Sequence, residues 1–271
     1  MPLVAVNGVQ VNVVDTGPPP DRPDAPVIVL GHGLLFSTTM WRHQVDALRP
    51  AYRCVALDWR GQGGTPPTPG GYDMDTLYAD AVALIERLDV GPVHYAGLSM
   101  GGFVGLRLGA RRPDLLRSLT LIDTSAGPED ADKIGRYRLL AGIYRVLGWR
   151  PLKGKVAPIM FSEAFLATPQ GHEVVAAWSA ELAGLDRAGI RKAILGVTDR
   201  LPVADELGSI TSPTLVVVGG GDVATTSDKS DTIAGLVPRA ELVVLPGVGH
   251  VSTLEAPDAV NAALIPFLAA H

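Results

Sequence analysis

The sequence predicts an α/β fold: a mostly parallel eight-stranded sheet with helices on both faces and a helical cap inserted late in the chain. Three observations predict it. Short apolar runs of the kind seen in strands buried on both faces alternate with segments of helical period. The chain opens on two strand-like runs around Asn7-Gly8, a dipeptide suited to a two-residue hairpin turn with positive φ at both positions. About 90 residues separate the sixth strand-like run from the seventh, far more than the ~2–6-residue connections that flank a single crossover helix.

The hairpin strands are Leu3 to Val6 and Val9 to Asp15. A Pro-rich loop, Gly17 to Pro26, leads to the apolar runs Val27 to Leu30, Cys54 to Leu57, Val93 to Ala96 and Leu116 to Ile122. Leu77, Ala81, Leu84, Ile85 and Leu88 share one helix face, and Asp75 stands where an N-cap is expected. A second helix runs from Gly101 to Arg112 and is ended by Pro113. Strand-helix-strand units of this kind are right-handed and yield a parallel sheet with helices on both sides.

Within the long gap, Ile134, Tyr137, Leu140, Ile143, Tyr144 and Leu147 keep a helical period. So do Val174, Val175, Trp178 and Leu182, and then Ile190, Ala193, Ile194 and Val197, which predicts several short amphipathic helices. Strands Thr214 to Val218 and Glu241 to Leu245 and a closing helix from Pro257 to Leu268 complete the alternation. The expected organisation is a core of residues 1–124 and 209–271 with a helical cap over 125–208.

Composition narrows the function classes. Hydrophobic residues make up 47% of the 271 and charged ones 19%, an ordinary globular balance, and no apolar run approaches the ~20 residues that span a bilayer. The first residues, Met1 to Gly8, lack a basic region followed by an apolar stretch and cleavage site, so a cytoplasmic location is the expectation. Cys54, the single cysteine, rules out an internal disulfide and a thiolate-rich metal site, and reads as a small buried strand residue. The net charge of −5 is spread out, with no basic cluster interleaved with aromatics, so nucleic acid is not an expected partner. A small uncharged or mildly polar molecule is the expected ligand, with neither metal nor cofactor, for a monomer or homodimer.

The chemistry is carried by Gly97-Leu98-Ser99-Met100-Gly101, which follows a strand-like run directly and precedes a helical one. Serine on a sharp strand-to-helix turn needs glycine two residues before and two after, because side chains there would clash. A serine hydroxyl is a poor nucleophile until a histidine takes its proton and a carboxylate holds that histidine's tautomer. Asp222 follows the strand-like run Thr214 to Val218 and His250 follows Glu241 to Leu245. In an open parallel sheet, loops at the carboxyl ends of the strands share one edge, so the three can converge. Asp123, at the end of the sixth strand, is the rival acid. An oxyanion cradle is expected from the backbone N–H groups of Leu34, after Gly31-His32-Gly33, and Met100, at a helix start. Their side chains are then free to line an acyl pocket. His32 is expected to tie its own loop together by hydrogen bonds. Asp58-Trp59-Arg60-Gly61-Gln62-Gly63 lacks the endings of phosphate-binding loops and reads as a structural turn. Leu35, Trp41, Met160, Phe161, Trp178 and Val251 are candidate pocket walls.

Taken together, His32-Gly33, Asp58 to Gly63, the Ser99 elbow, Asp222 and His250 fall in the order of the α/β-hydrolase superfamily, which the chain resembles over nearly its whole length. It looks most similar to small esterases and to the 3-oxoadipate enol-lactonase-like branch, on Met40-Trp41, Gly97 to Gly102, Asp222-Val223-Ala224-Thr225 and His250 to Glu255. The resemblance implies a cofactor-independent serine hydrolase acting on a small, largely apolar ester or lactone through an acyl-enzyme. Perhydrolase and carbon-carbon hydrolase chemistry are disfavoured by Leu35 and Leu98, where those branches carry proline and asparagine. A third possibility is a ligand receptor that keeps the fold without turnover.

Overall fold

A computed structural model describes residues 3–271; Met1 and Pro2, part of the amino-terminal stretch read above, lie outside the described residues. The strands are β1 (Leu3–Val6), β2 (Val9–Asp15), β3 (Val27–Gly31), β4 (Arg53–Leu57), β5 (Val93–Leu98), β6 (Leu116–Ile122), β7 (Thr214–Gly219) and β8 (Glu241–Leu245). They form one sheet in the order β1-β2-β4-β3-β5-β6-β7-β8. β1 and β2 are antiparallel, β2 meets β4 antiparallel, and all later pairings are parallel. Asn7 and Gly8 both have positive φ, as the hairpin turn requires.

Alternate residues of the central strands feed two cores. Ile28, Leu30, Ala96, Leu98, Leu215 and Val217 pack on one side, with α1 (Arg42–Leu48) and, at the end of the chain, α11 (Pro257–Ala270). Val27, Val29, Tyr95, Leu119, Leu121 and Val216 face the other, against α2 (Met74–Leu88), α3 (Met100–Arg111) and α9 (Ser227–Leu236). This is the doubly covered parallel sheet expected from the apolar runs. Cys54 is buried on β4, where desolvation pushes its thiol up to about 12, and it stays inert.

Between β6 and β7 lie α4 (Ala131–Leu147), α5 (Lys153–Met160), α6 (Glu163–Leu166), α7 (Pro169–Ala183) and α8 (Arg187–Thr198). Leu140, Tyr144, Val174, Trp178, Leu182 and Ile190 from these helices belong to the same core as the first sheet face. The helical segment is thus packed on the sheet assembly rather than tethered to it. A four-residue α10 (Ser252–Glu255) follows His250.

Several local expectations need correction. Asp73, not Asp75, caps α2, its carboxylate accepting the Thr76 N–H at 2.8 Å. Asp75 instead binds Arg107 and Arg111 across α3, at 3.0 and 2.6 Å. The helix after Ser99 starts at Met100 and stops at Arg111, and Pro113 opens a separate 3₁₀ turn. At 17 residues α4 is not short, and Leu147 is exposed because only Leu140, Ala141 and Tyr144 of this helix are fully buried.

Candidate active site

Ser99 sits between β5 and α3 with φ 52° and ψ −110°, a left-handed conformation that costs a non-glycine residue about 1–3 kcal/mol. Its surroundings enforce it. A Cβ on Gly97 would strike the Gly101 carbonyl, and one on Gly101 would strike the Gly31 carbonyl. Packing this close is possible only because both neighbours are glycine, and the Ser99 N–H is further fixed on the Ile122 carbonyl at 2.9 Å.

Asp222 and His250 hang from the loops after β7 and β8, at the same sheet edge. His250 Nε2 lies 3.0 Å from Ser99 Oγ, and Nδ1 lies 2.8 Å from Asp222 Oδ2. An ionised carboxylate only accepts, so Nδ1 carries the proton and Nε2 is left to accept from the serine hydroxyl. Asp222 is fixed in turn by the Ala224 and Thr225 N–H groups on Oδ1, at 2.7 and 3.0 Å, and by the Thr225 hydroxyl on Oδ2 at 2.7 Å. Burial alone would raise the Asp222 carboxyl, but the His250 charge and hydrogen bond and the Thr225 donors outweigh it and hold Asp222 below the usual carboxylate value. Burial would likewise depress the His250 imidazole. Asp222, and less strongly Asp123, reverse that and lift it above the ordinary histidine value.

Asp123 reaches the same edge but faces elsewhere. Its Oδ1 accepts the Gly219 N–H at 2.8 Å, and its Oδ2 accepts the Ser252 hydroxyl at 2.5 Å. It therefore ties the end of β7 to the start of α10. Burial, with the Asp222 carboxylate adding to it, pushes Asp123 up to about 7.

The Leu34 amide lies in a turn closed by Phe36 N–H on the Gly33 carbonyl at 3.2 Å, with Leu35 at φ 67°. Gln62 Oε1 accepts the Leu35 N–H at 2.8 Å and so fixes the turn from below. Met100 heads α3, where the helix offers its N–H no acceptor. Neither the Leu34 nor the Met100 N–H donates to an acceptor among the described residues, so both are available to a substrate oxygen. His32 is a loop tie as expected: Nδ1 bonds the Gly33 carbonyl at 2.7 Å, and Nε2 accepts the Trp59 N–H at 3.0 Å. Asp58 anchors its turn by accepting from Asn12 Nδ2, Thr38 N–H and Gly64 N–H, each at 2.7 Å.

Ser99 and His250 border a cavity of about 90 Å³ roofed by the helical segment. Leu34, Leu35, Met160 and Val251 line it, as expected, with Phe36, Trp149, Val156 and Ile194. Met160 is held beside His250 because its carbonyl accepts the Val251 N–H at 2.9 Å. Trp41, Phe161 and Trp178 do not line it. Trp41 is fully buried beneath the first sheet face, and Phe161 and Trp178 pack behind the wall, Trp178 stacked on Phe36 at 5.0 Å. The Met100 side chain is also absent from the wall, being turned into the opposite core, where Gln62 Nε2 approaches its sulfur at 3.8 Å.

Sequence reasoning missed Thr225, Gln62, Glu129 and Tyr137. The first two support Asp222 and the Leu34 turn through side-chain hydrogen bonds that no spacing encodes. Thr225 stood in the segment singled out after Asp222, so proximity was the available signal. Glu129 and Tyr137 line the cavity from residues counted only as part of an inserted segment.

Residues 28–263 match the alpha/beta hydrolase family. One relative, the dihydrolipoyllysine-residue acetyltransferase component of the acetoin cleaving system of Pseudomonas putida, is 33% identical over 90% of this chain. The chain spans only 64% of that protein's length. An esterase structure from Thermogutta terrifontis superposes with a TM-score of 0.87 at 28% identity, covering 98% of this chain and 96% of that one. The enol-lactonase from Burkholderia xenovorans LB400 gives 0.90 at 27% identity, covering 99% and 100%. Sheet order, elbow and full-length similarity agree that this chain is a member of the alpha/beta hydrolase family.

Proposed function

We propose that this chain is a cofactor-independent serine hydrolase that cleaves a small, largely apolar carboxylic ester or lactone through an acyl-enzyme. Ser99 Oγ attacks the carbonyl carbon while His250 Nε2 takes the hydroxyl proton, and Asp222 stabilises the imidazolium that forms. The Leu34 and Met100 N–H groups receive the oxyanion, each worth about 2.7–4 kcal/mol in the transition state. His250 then returns its proton to the leaving oxygen. In the second half, His250 takes a proton from water, hydroxide adds to the acyl carbon, and Ser99 leaves with the proton returned to it. Residues 125–208 act as a cap that excludes bulk water and strengthens these electrostatic effects.

The observation that carries this reading is the unbroken chain Ser99 Oγ, His250, Asp222, at 3.0 and 2.8 Å, opening on an apolar cavity. The esterase and enol-lactonase neighbours support esters and lactones as the substrate class. Hydrolysis of p-nitrophenyl butyrate tests it, together with labelling by a fluorophosphonate. Turnover with label on Ser99, both lost in Ser99→Ala, is the expected result. Absence of both from the wild-type protein would favour a non-catalytic receptor.

A further inference from the structure

One charge breaks the apolar wall of the cavity besides the Ser99 and His250 pair. Glu129, in the segment between β6 and α4, borders the cavity, and its side chain is 7% exposed. Arg200 Nη1 donates to its Oε2 at 2.8 Å, and the Asp130 N–H donates to its Oε1 at 3.0 Å. The Arg200 side chain, 2% exposed, does not reach the wall. Its other donors are used on the carbonyls of Gly127, Pro128 and Val197, and it lies over the Phe103 ring at 4.4 Å. The pair is thus a dipole with its negative end nearer the void. Lys133, the next cation, is turned to Asp130 and to the Val223 and Ala224 carbonyls. Among the described residues, no lysine or arginine lines the cavity. Burial raises the Tyr137 phenol and the Glu129 carboxylate adds to it; the same carboxylate adds a little to the rise of the His250 imidazole, which Asp222 chiefly causes against the depressing effect of burial.

We infer that Glu129 is a specificity-determining residue that bars acyl groups ending in a carboxylate, making uncharged esters and lactones the substrate class. This rests on the ester-hydrolase reading above. An acyl carboxylate entering so small a void would shed its water and find no cation to replace it. It would also meet a fixed like charge where water screens little. A neutral chain incurs neither penalty, and a terminal hydroxyl or amide can donate to Glu129.

The test compares kcat/KM of the wild-type protein for p-nitrophenyl pentanoate, p-nitrophenyl hemiglutarate and the methyl ester of that hemiglutarate, which differ chiefly in terminal charge. The two neutral esters are expected to exceed the anionic one by about 100-fold. In Glu129→Gln the ratio of neutral to anionic should narrow at least about tenfold. The double variant Glu129→Gln with Arg200→Gln removes both charges, so no lone buried cation is left to unfold the protein. It should narrow the ratio in the same direction. Wild-type turnover of all three esters within about threefold of one another overturns the inference and leaves the ester-hydrolase reading standing. An unchanged ratio in both variants does the same. No turnover of any of the three overturns both.

Discussion

Asp222 and Asp123 show how two carboxylates at one sheet edge acquire different work from their donors. Asp222 is ionised and faces the imidazole, whereas Asp123 is spent on Gly219 and Ser252. Asp222→Asn should therefore lower kcat on p-nitrophenyl butyrate by about 10⁴-fold, because the amide favours the wrong imidazole tautomer. Asp123→Asn should leave kcat within about tenfold and act on stability instead. Its folded value, about 7 against 3.8 ordinarily, means that bound protons favour the fold at low pH and that this contribution is lost as pH rises from about 4 through about 7. The stability of wild type relative to Asp123→Asn, measured by urea unfolding, should fall over that window. His250 must be neutral to accept the serine proton, and Asp222 holds its value above about 6.5. The acid limb of kcat/KM should then have its midpoint above that pH, with activity lost below it. Ser99, Asp222 and His250 were legible in the sequence because each follows a strand-like run. The division of labour between the two aspartates was not, since it depends on Thr225 and Ser252 donors contributed by the fold.

The elbow is the element where backbone geometry matters most. Its glycines are dictated by backbone carbonyls that cannot move aside, so Gly101→Ala should cost more than about 2 kcal/mol of stability by urea denaturation, beyond the ordinary effect of a surface change. Strands β3 to β7 were readable because both faces are buried over almost their whole length and leave runs rich in apolar residues. Helix ends were read less well. Asp73 and Asp75 are both reasonable caps by type, and only the Arg107 and Arg111 partners draw Asp75 away. Trp41, Phe161 and Trp178 were misread as pocket walls because an aromatic residue has the same sequence signature whether it faces a void or packs behind one.

Across the whole molecule, the helices between β6 and β7 share a core with one sheet face, so the two are expected to unfold together. Trp149 and Trp178 report from the helical segment, while Trp41 and Trp59 report from the sheet region. Urea curves followed by fluorescence of variants retaining only one pair should coincide. Among the described residues, no helix is long and apolar enough to cross a membrane. Besides the Val251 bond to Met160, the two halves are joined at the site by the Trp178 indole N–H, which donates to the Leu35 carbonyl at 2.7 Å. Glu181, one turn along α7, takes the Ser37 and Thr39 hydroxyls at 3.0 Å each. The turn that holds the Leu34 amide is consequently steered, at the Leu35 carbonyl, by side chains from a helix more than a hundred residues away. With the Leu34 N–H as the proposed oxyanion donor, drift in α7 that looks remote from the chemistry would retune how firmly a developing negative oxygen is gripped.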